Sequence, residues 1–255
     1  MPIPHHAERL QALVHLSREL GREDRNMAIL GEGNTSTRLD SETFLVKASG
    51  SCLATLQEKD VVECRFSTLM ALFEKTSLRD SDIEEALLAS RVDPSARKPS
   101  VEALFHAHLL TLPGVEFVGH THALEVNQIL CSARAREFAE HRMFPDEVVC
   151  CGAVSVYVPY VDPGVPLAIA MRGRVEEFIR KRGTQPRVIL LQNHGLVTIG
   201  KTAPSVLAAM LMEQKAAAIW LGAAALGGPQ YLTSEDVDRI ASRSDEHYRQ
   251  RVLNL

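Results

Sequence analysis

The sequence lacks the cysteine spacing of a redox or structural metal site. None of its five cysteines forms a C-x-x-C pair or is spaced as a zinc ligand, and their number is odd. Such a set is typical of reduced thiols in a cytosolic chain. The adjacent Cys150 and Cys151 end an apolar segment, which favours a place in the core or a pocket wall over a redox role.

The sequence also lacks an excess of basic charge and a long apolar run. It carries 28 Lys and Arg against 32 Asp and Glu, a formal net charge of −4, and the basic residues are scattered, so no nucleic-acid partner is indicated. No basic stretch leads into an apolar run at the N-terminus. Charged residues interrupt the alanine-rich stretch 203–226, so we expect no membrane span and a soluble, cytoplasmic protein.

Nucleotide-binding signatures are missing as well. No segment matches the Walker pattern or the dinucleotide G-x-G-x-x-G, so ATP and NAD are not implied. Internal repeats and low-complexity segments are absent, while 45% of the residues are hydrophobic. The economical prediction is a single α/β domain over residues 1–255.

Several predicted elements frame the chemistry. A helix over residues 5–21 ends at Gly21, and Ser100 is placed as the N-cap of a helix through Leu110. The glycine-bearing stretch 31–38 is predicted to be a polar loop outside the core. Residues 123–140 are predicted to be one helix and residues 147–154 a strand.

Two histidines at the end of an apolar run are the most informative feature of the sequence. In an extended strand, His120 and His122 project from the same side and can hold one metal ion together. His194 follows the buried-strand run 188–191 and can supply a third nitrogen. Three imidazoles leave a tetrahedral zinc site open at its fourth position, as in catalytic sites. Glu102 is the carboxylate expected beside this metal, although an acidic residue in a first helical turn is also common as a partner of the helix dipole.

Three polar loops are candidates for an anion cradle. They contain Gly33-Asn34, Ser49-Gly50 and Lys98-Pro99-Ser100, whose backbone N–H groups and hydroxyls could meet a phosphate or carboxylate. Each loop alone is better explained as an ordinary turn, so the prediction depends on their combination. His106, His108 and His141 are interpreted as surface or satisfied core residues.

Five ordered motifs resemble the class II aldolase/adducin superfamily, typified by fuculose-phosphate and rhamnulose-phosphate aldolases. The resemblance runs from about Leu10 to Ile219. The segments that carry it are Gly33-Asn34-Thr35-Ser36, Lys47-Ala48-Ser49-Gly50, Lys98-Pro99-Ser100-Val101-Glu102, Gly119-His120-Thr121-His122 and Gln192-Asn193-His194-Gly195-Leu196.

The resemblance implies a three-layer αβα sandwich with a mainly antiparallel central sheet, commonly assembled as a homotetramer. It implies a divalent metal, Zn²⁺ first and Mn²⁺ or Co²⁺ as alternatives, on His120, His122 and His194, with Glu102 as the acid/base. The residues implied to bind the substrate are Gly33, Asn34, Lys47, Ser49, Gly50 and Ser100. The implied activity is aldol cleavage of a ketose phosphate or related hydroxy-keto acid through a metal-stabilised enediolate.

The chain departs from the family pattern at several positions. Val101 replaces a serine and Lys47 a threonine, and the segment Phe144–Glu147 stands where fuculose-phosphate enzymes carry a tyrosine proton donor. Tyr248 is only a loose match to their C-terminal tyrosine. Decarboxylation or epimerisation on the same site therefore stays open, as does a metal-free, adducin-like binding protein, although the retained histidines and Glu102 argue against the last.

Overall fold

The computed structural model describes residues 4–75 and 79–243. The α-helices in this part of the chain are α1 (Pro4–Leu20), α2 (Phe66–Met70), α3 (Asp80–Ser90), α4 (Ala103–Leu110), α5 (Leu124–Leu130), α6 (Ala135–Glu140), α7 (Pro145–Cys151), α8 (Val165–Arg182), α9 (Ala203–Ala225) and α10 (Ser234–Ala241). The strands are β1 (Asn34–Arg38), β2 (Thr43–Lys47), β3 (Val61–Arg65), β4 (Phe117–Thr121), β5 (Val156–Val158), β6 (Val188–Leu191) and β7 (Gly195–Gly200).

The strands form a single mixed sheet in the order β3-β2-β1-β4-β7-β6-β5. Only β5 and β6 pair in parallel, and the other five pairs are antiparallel. Strand β4, which carries the first of the histidines predicted to bind metal, therefore lies in the middle of the sheet, where both of its edges are hydrogen-bonded. The predicted mainly antiparallel sheet is confirmed.

Helices cover both faces of the sheet. Apolar side chains of α2, α3, α4 and α8 pack on one face, and those of α1, α5, α6, α7 and α9 pack on the other. The molecule is thus the three-layer αβα sandwich expected from the sequence motifs.

Alternation along β4 decides what each residue of this strand contacts. The His120 ring meets the ring of Phe105 on α4 edge-on, with centroids 5.8 Å apart. Thr121 points to the other face, where its hydroxyl lies 3.1 Å from the Met210 sulfur on α9. Since side chains alternate between faces, His120 belongs to the α4 side of the sheet.

The prediction of a polar loop over residues 31–38 is wrong, because residues 34–38 form the central strand β1. Its residues from Asn34 to Thr37 are buried. Their polar groups find partners on the helices of both layers. Thr35 shares a hydrogen bond of 2.6 Å with Ser17 on α1, and Ser36 shares one of 2.7 Å with His106 on α4. Hydrogen-bonded hydroxyls can be buried at little cost, so small polar residues are tolerated in the core here.

Three further predictions of secondary structure need correction. The predicted strand over 147–154 is mostly helix α7, whose first turn contains Pro145. The predicted helix over 123–140 is interrupted at residues 131–134 and consists of α5 and α6. Helix α4 begins at Ala103, with Glu102 rather than Ser100 at the N-cap. The sequence also predicts a final helix from Ser234 through Tyr248. Helix α10 covers Ser234–Ala241, and residues 244–255 lie outside the described part of the chain.

Helix α9 is the segment that bears on the expectation that the chain has no membrane span. By length and composition it is the one helix, within residues 4–75 and 79–243, that could cross a membrane. In this fold it packs against the sheet and α5, and Glu213 in its middle is fully buried.

Candidate metal centre

The three predicted metal ligands come from two neighbouring strands. His120 lies in β4, His122 follows it directly, and His194 occupies the turn between β6 and β7. Strands β4 and β7 pair antiparallel with Thr121 opposite Leu196, so the end of β4 meets the start of β7. This pairing brings together histidines that are 72 to 74 residues apart in the sequence.

The imidazole rings converge on one point. The Nε2 atoms of His120 and His122 are 3.2 Å apart, and the three ring centroids are separated by 5.0 to 5.1 Å with steep interplanar angles. Ligand atoms of all three histidines lie within 4.8 Å of one another. In a tetrahedral zinc site with bonds of about 2.0–2.1 Å, two ligand nitrogens stand about 3.3 Å apart. The spacing of His120 and His122 therefore fits a shared metal ion.

The protonation state of His120 also suits a metal ligand. Its Nδ1 lies 2.9 Å from the Leu196 carbonyl oxygen, to which it can donate only if the proton sits on Nδ1. Burial lowers the pKa of His120 to about 4, so the ring is neutral at pH 7. The lone pair on Nε2 is thus directed at the centre of the triad, as metal binding requires.

Glu102 closes the open side of the triad. Its Oε1 is 3.3 Å from Nε2 of His194 and 3.6 Å from Nε2 of His120, and its Oε2 accepts a hydrogen bond from the Asn34 side chain. Burial alone would raise the pKa of Glu102, but the imidazoles of His120 and His194 hold it below its usual range. An ionised carboxylate therefore faces the place where a metal and a substrate would meet.

Close backbone packing fixes these side chains. A Cβ on Gly195 would overlap the Thr121 carbonyl oxygen and lie 2.9 Å from the His122 ring. A Cβ on Gly33 would lie 2.6 Å from the His120 carbonyl oxygen, and Gly33 also has a φ of +70°. Glycine is required at both positions because the metal-bearing strand ends are pressed against them.

The residues implied to bind substrate lie around this centre in two joined loops and β1. Ser49 donates its backbone N–H to the Lys98 carbonyl at 2.9 Å, which ties the loop after β2 to the loop before α4. The Ser100 hydroxyl accepts a hydrogen bond from the Glu102 backbone at 3.3 Å. A Cβ on Gly50 would meet nothing within 4 Å, so the first loop has an open side. Asn34 Oδ1 is buried and has no hydrogen-bond partner within the described residues.

Lys47 occupies an unexpected position for a substrate ligand. It is only 1% exposed, and its Nζ donates to the carbonyl oxygens of Ser51 at 2.6 Å and Gly31 at 3.1 Å. Its ammonium group therefore joins two loops of the site. Burial lowers the pKa of Lys47, and the nearby Glu102 carboxylate opposes this shift.

The sequence model of the family described as Class II Aldolase and Adducin N-terminal domain matches residues 11–221 of this chain. The chain belongs to this family.

The relatives of this class II aldolase family member carry names that describe different activities. The chain is 28% identical over 202 residues to an uncharacterized oxidoreductase, YuxG, of Bacillus subtilis, with 76% of the chain and 27% of YuxG covered, so it spans about a quarter of that protein. It is 29% identical over 186 residues to a 3-oxo-tetronate 4-phosphate decarboxylase of Haemophilus influenzae, covering 71% of the chain and 74% of the enzyme. The N-terminal class II aldolase domain of a Thermoplasma acidophilum protein superposes with a TM-score of 0.67 at 26% identity, over 83% of this chain and 93% of that one.

The departures from the family motifs have structural correlates. Val101 is 41% exposed beside the site loop, so it adds apolar surface where the motif has a hydroxyl. Phe144 stands at the N-cap of α7 and packs against the layer of α5 and α9, while Glu147 is fully buried there. Tyr248 falls outside the described residues.

Sequence reasoning missed three residues that contact the predicted site. Glu32 Oε1 lies 3.6 Å from Nδ1 of His122, and Arg97 donates to the Ser49 carbonyl at 3.1 Å. The buried His106 donates its backbone N–H to the Glu102 carbonyl at 3.2 Å, and its Nε2 has no partner among the described residues. His106 is one helical turn after Glu102, so the i,i+4 spacing was a usable signal for it. For Glu32 and Arg97, proximity in sequence to the Gly33 and Lys98 motifs was the only hint.

Proposed function

We propose that this protein is a metal-dependent carbon–carbon lyase acting on a ketose phosphate or a related hydroxy-keto acid. The observation that carries the proposal is the convergence of three imidazoles on the Glu102 carboxylate, with Nε2 of His120 and His122 3.2 Å apart. Membership of an enzyme family with class II aldolases supports it.

The ligands assigned to the metal are His120, His122 and His194. Zn²⁺ suits three neutral imidazoles with an open position, and Mn²⁺ or Co²⁺ can take the same ligands. A bound ion would act as a Lewis acid for the carbonyl and hydroxyl oxygens of the substrate and stabilise the enediolate that bond cleavage leaves.

Glu102 is proposed to move the proton. Its carboxylate is ionised, lies at the open side of the histidine triad and is oriented by the Asn34 amide, so it can accept a proton from a substrate hydroxyl. No group within the described residues donates to Asn34 Oδ1, which leaves an acceptor for a second hydroxyl.

The acidic end of the substrate is assigned to the joined loops. The hydroxyls of Ser49 and Ser100 and the backbone at Gly33 and Gly50 would receive it, with Lys47 and Arg97 supplying positive charge behind the loops. Because Lys47 is buried and already hydrogen-bonded, we assign it a long-range electrostatic role rather than direct contact.

Decarboxylation is the second candidate. The Haemophilus influenzae relative is named a decarboxylase and is matched over 74% of its length, and loss of CO₂ also leaves an enolate at the same site. Epimerisation would require the same cleavage followed by re-addition. A screen of ketose phosphates and 3-oxo acid phosphates should be read for both carbonyl products and CO₂. Aldehyde with no CO₂ supports the aldolase, and CO₂ with no aldehyde supports the decarboxylase.

Metal analysis separates both enzymes from a scaffold protein. Purified protein reconstituted with Zn²⁺, Mn²⁺ or Co²⁺ should hold about one ion per chain. Failure to bind any of them would remove the enzyme proposals and favour an adducin-like binding role.

The domain extent, the assembly and the location are proposed by analogy with the family. We propose one domain over residues 1–255, a homotetramer and a cytoplasmic location. Light scattering on the purified protein tests the assembly, and a mass of about four chains of 28.1 kDa is expected.

A further inference from the structure

We infer that Glu32 is a positioning residue that fixes the ring of His122 in the metal centre. The inference rests on the proposed function, because it needs a metal on the three histidines. It assigns a role to a residue that is neither in the ligand set nor among the residues assigned to the substrate.

His120 lies within β4 and His122 directly follows it, and the two rings are oriented by different partners. Nδ1 of His120 donates to the Leu196 carbonyl, so the backbone of β7 orients that ring. Nδ1 of His122 instead faces a carboxylate, with Glu32 Oε1 at 3.6 Å, while its Nε2 lies 3.2 Å from Nε2 of His120. Glu32 thus favours the tautomer that carries the proton on Nδ1 and presents the Nε2 lone pair to the metal.

Glu32 is itself held in place. Its Oε2 accepts the backbone N–H of Ile29 at 3.0 Å, and its own N–H donates to the Ile29 carbonyl at 3.0 Å. These reciprocal bonds close a small ring in the loop before β1. The carboxylate therefore keeps one oxygen for the backbone and turns the other toward His122.

The loop that carries Glu32 is held at three points. The His122 backbone donates to the Met27 carbonyl at 2.8 Å, and Lys47 Nζ donates to the Gly31 carbonyl at 3.1 Å. Gly33 presses directly on the His120 carbonyl. Three anchors within seven residues leave the Glu32 side chain little freedom to move away from His122.

A carboxylate behind a metal-bound imidazole makes the ligand more basic and fixes its orientation. Loss of such a partner lowers metal affinity by about 10- to 100-fold. Glu32 and His122 are both partly exposed, with side-chain exposures of 37% and 24%, so solvent weakens the interaction and the lower end of this range is expected.

The test is the Zn²⁺ affinity of the full-length protein, measured by competition with a chromophoric chelator. Glu32→Ala should weaken binding about tenfold or more, Glu32→Gln less because its amide oxygen can still accept from Nδ1, and the exposed Glu23→Gln should leave affinity unchanged. The visible absorption of the Co²⁺ protein should shift in Glu32→Ala and not in Glu23→Gln. The unfolding temperature of the metal-free Glu32→Ala protein should fall by no more than the loss of its one exposed hydrogen bond to Ile29 explains.

Two outcomes would overturn the inference. Wild-type affinity and an unchanged cobalt spectrum in Glu32→Ala would show that His122 needs no partner. A fall in the unfolding temperature of metal-free Glu32→Ala that accounts for its lost affinity would show that Glu32 only supports the loop. Wild-type protein that binds no metal at all would instead defeat the proposed function, so the two failures can be told apart.

Discussion

Asn34 serves the fold and the site with a single side chain. It lies in β1 directly opposite His120 in β4, and its amide donates to Glu102. Its Oδ1 is buried and finds no partner in residues 4–75 and 79–243. A buried acceptor without a partner costs stability unless a ligand satisfies it. The residue therefore fits a substrate contact better than a purely structural position.

The first prediction separates metal binding from proton transfer. His122→Ala should abolish metal binding and activity, because it removes a nitrogen of the triad. Glu102→Gln should keep the metal and lower turnover by about 10²- to 10⁴-fold, since the amide cannot accept the proton. Metal content and kcat of both variants should be measured on the true substrate. Full activity of Glu102→Gln would show that another group is the base.

The second prediction concerns Val101. Inorganic phosphate should inhibit weakly, because the hydroxyl that the family motif places here is absent. Val101→Ser should restore one hydrogen bond and tighten inhibition by phosphate about three- to tenfold. The inhibition constants of phosphate for the wild type and for Val101→Ser test this prediction. Tight inhibition of the wild type by phosphate, with no tighter inhibition of the variant, would contradict the assignment of the acidic end of the substrate to the loops of Ser49 and Ser100.

At the level of residues, the sequence was informative where chemistry is concentrated in short motifs. That His120, His122, His194 and Glu102 lie close together could be predicted, because strand alternation pairs the first two and the family motifs add the other two. Glu32 could not, since its contact with His122 depends on how the loop of residues 26–33 docks on β4. The burial of Lys47 could not be predicted for the same reason. A lysine in a polar motif is expected at the surface, and its burial depends on how the loops of Gly31 and Ser51 pack around it.

Strand β1 shows why element prediction failed at the middle of the sheet. A sequence of Asn, Thr and Ser has none of the apolar alternation that marks a strand, and its partners Ser17 and His106 are far away in sequence. Helix α7 failed in the opposite way, because the apolar run from Val148 to Cys151 fits a buried strand or a buried helix equally well. The helix predicted over residues 5–21 was placed within one residue of α1, which runs from Pro4 to Leu20.

The third prediction tests the contact between β4 and β7. Gly195→Ala should destabilise the protein by about 1–3 kcal/mol and weaken metal binding, since the new methyl group would overlap the Thr121 carbonyl oxygen. Gly222→Ala is the matched control on α9. Its Cβ would meet nothing within 4 Å, so it should stabilise the helix by about 1 kcal/mol. Urea unfolding with a metal titration measures both effects, and equal behaviour of the two variants would contradict the close packing.

A buried ionic cluster joins two helices of one layer. Arg142, Glu147 on α7 and Glu213 on α9 are at most 1% exposed, and the Arg142 guanidinium lies 3.8 Å from the Glu147 carboxyl group. Burial raises the pKa of Glu147 to about 7 against the pull of Arg142, and burial likewise raises the pKa of Glu213. The thiol of Cys151 faces the same cluster, and burial raises its pKa too.

The fourth prediction is a pH dependence of stability. Between pH 4.5 and about 7, the folded protein keeps a proton on Glu147 that the unfolded chain releases. The free energy of unfolding therefore falls as pH rises through this window, by about 3 kcal/mol at most from this group. The buried imidazoles of His106, His108 and His120 act in the opposite direction below pH 6.5, because burial lowers their pKa values to about 3 or 4.

Comparison with Glu147→Gln isolates the carboxyl group, since the histidine contribution is common to both proteins. Denaturant unfolding at several pH values from 5 to 8 should show a difference between wild type and variant that changes by up to about 3 kcal/mol in favour of the variant as pH rises. Parallel curves over this range would show that Glu147 titrates as it does in the unfolded chain.

The two borders of the sheet limit how copies of the chain can meet. Strand β5 has only three residues, and the neighbouring Ser155 N–H is taken by the Ala139 carbonyl. On the other border, residues 91–92 pair with Cys64 and Glu63 and cover part of β3. Neither border offers a long row of free backbone groups to a foreign strand. Any assembly of this protein should consequently be built through helices and loops, and fibrils grown by strand addition to the native sheet should be disfavoured.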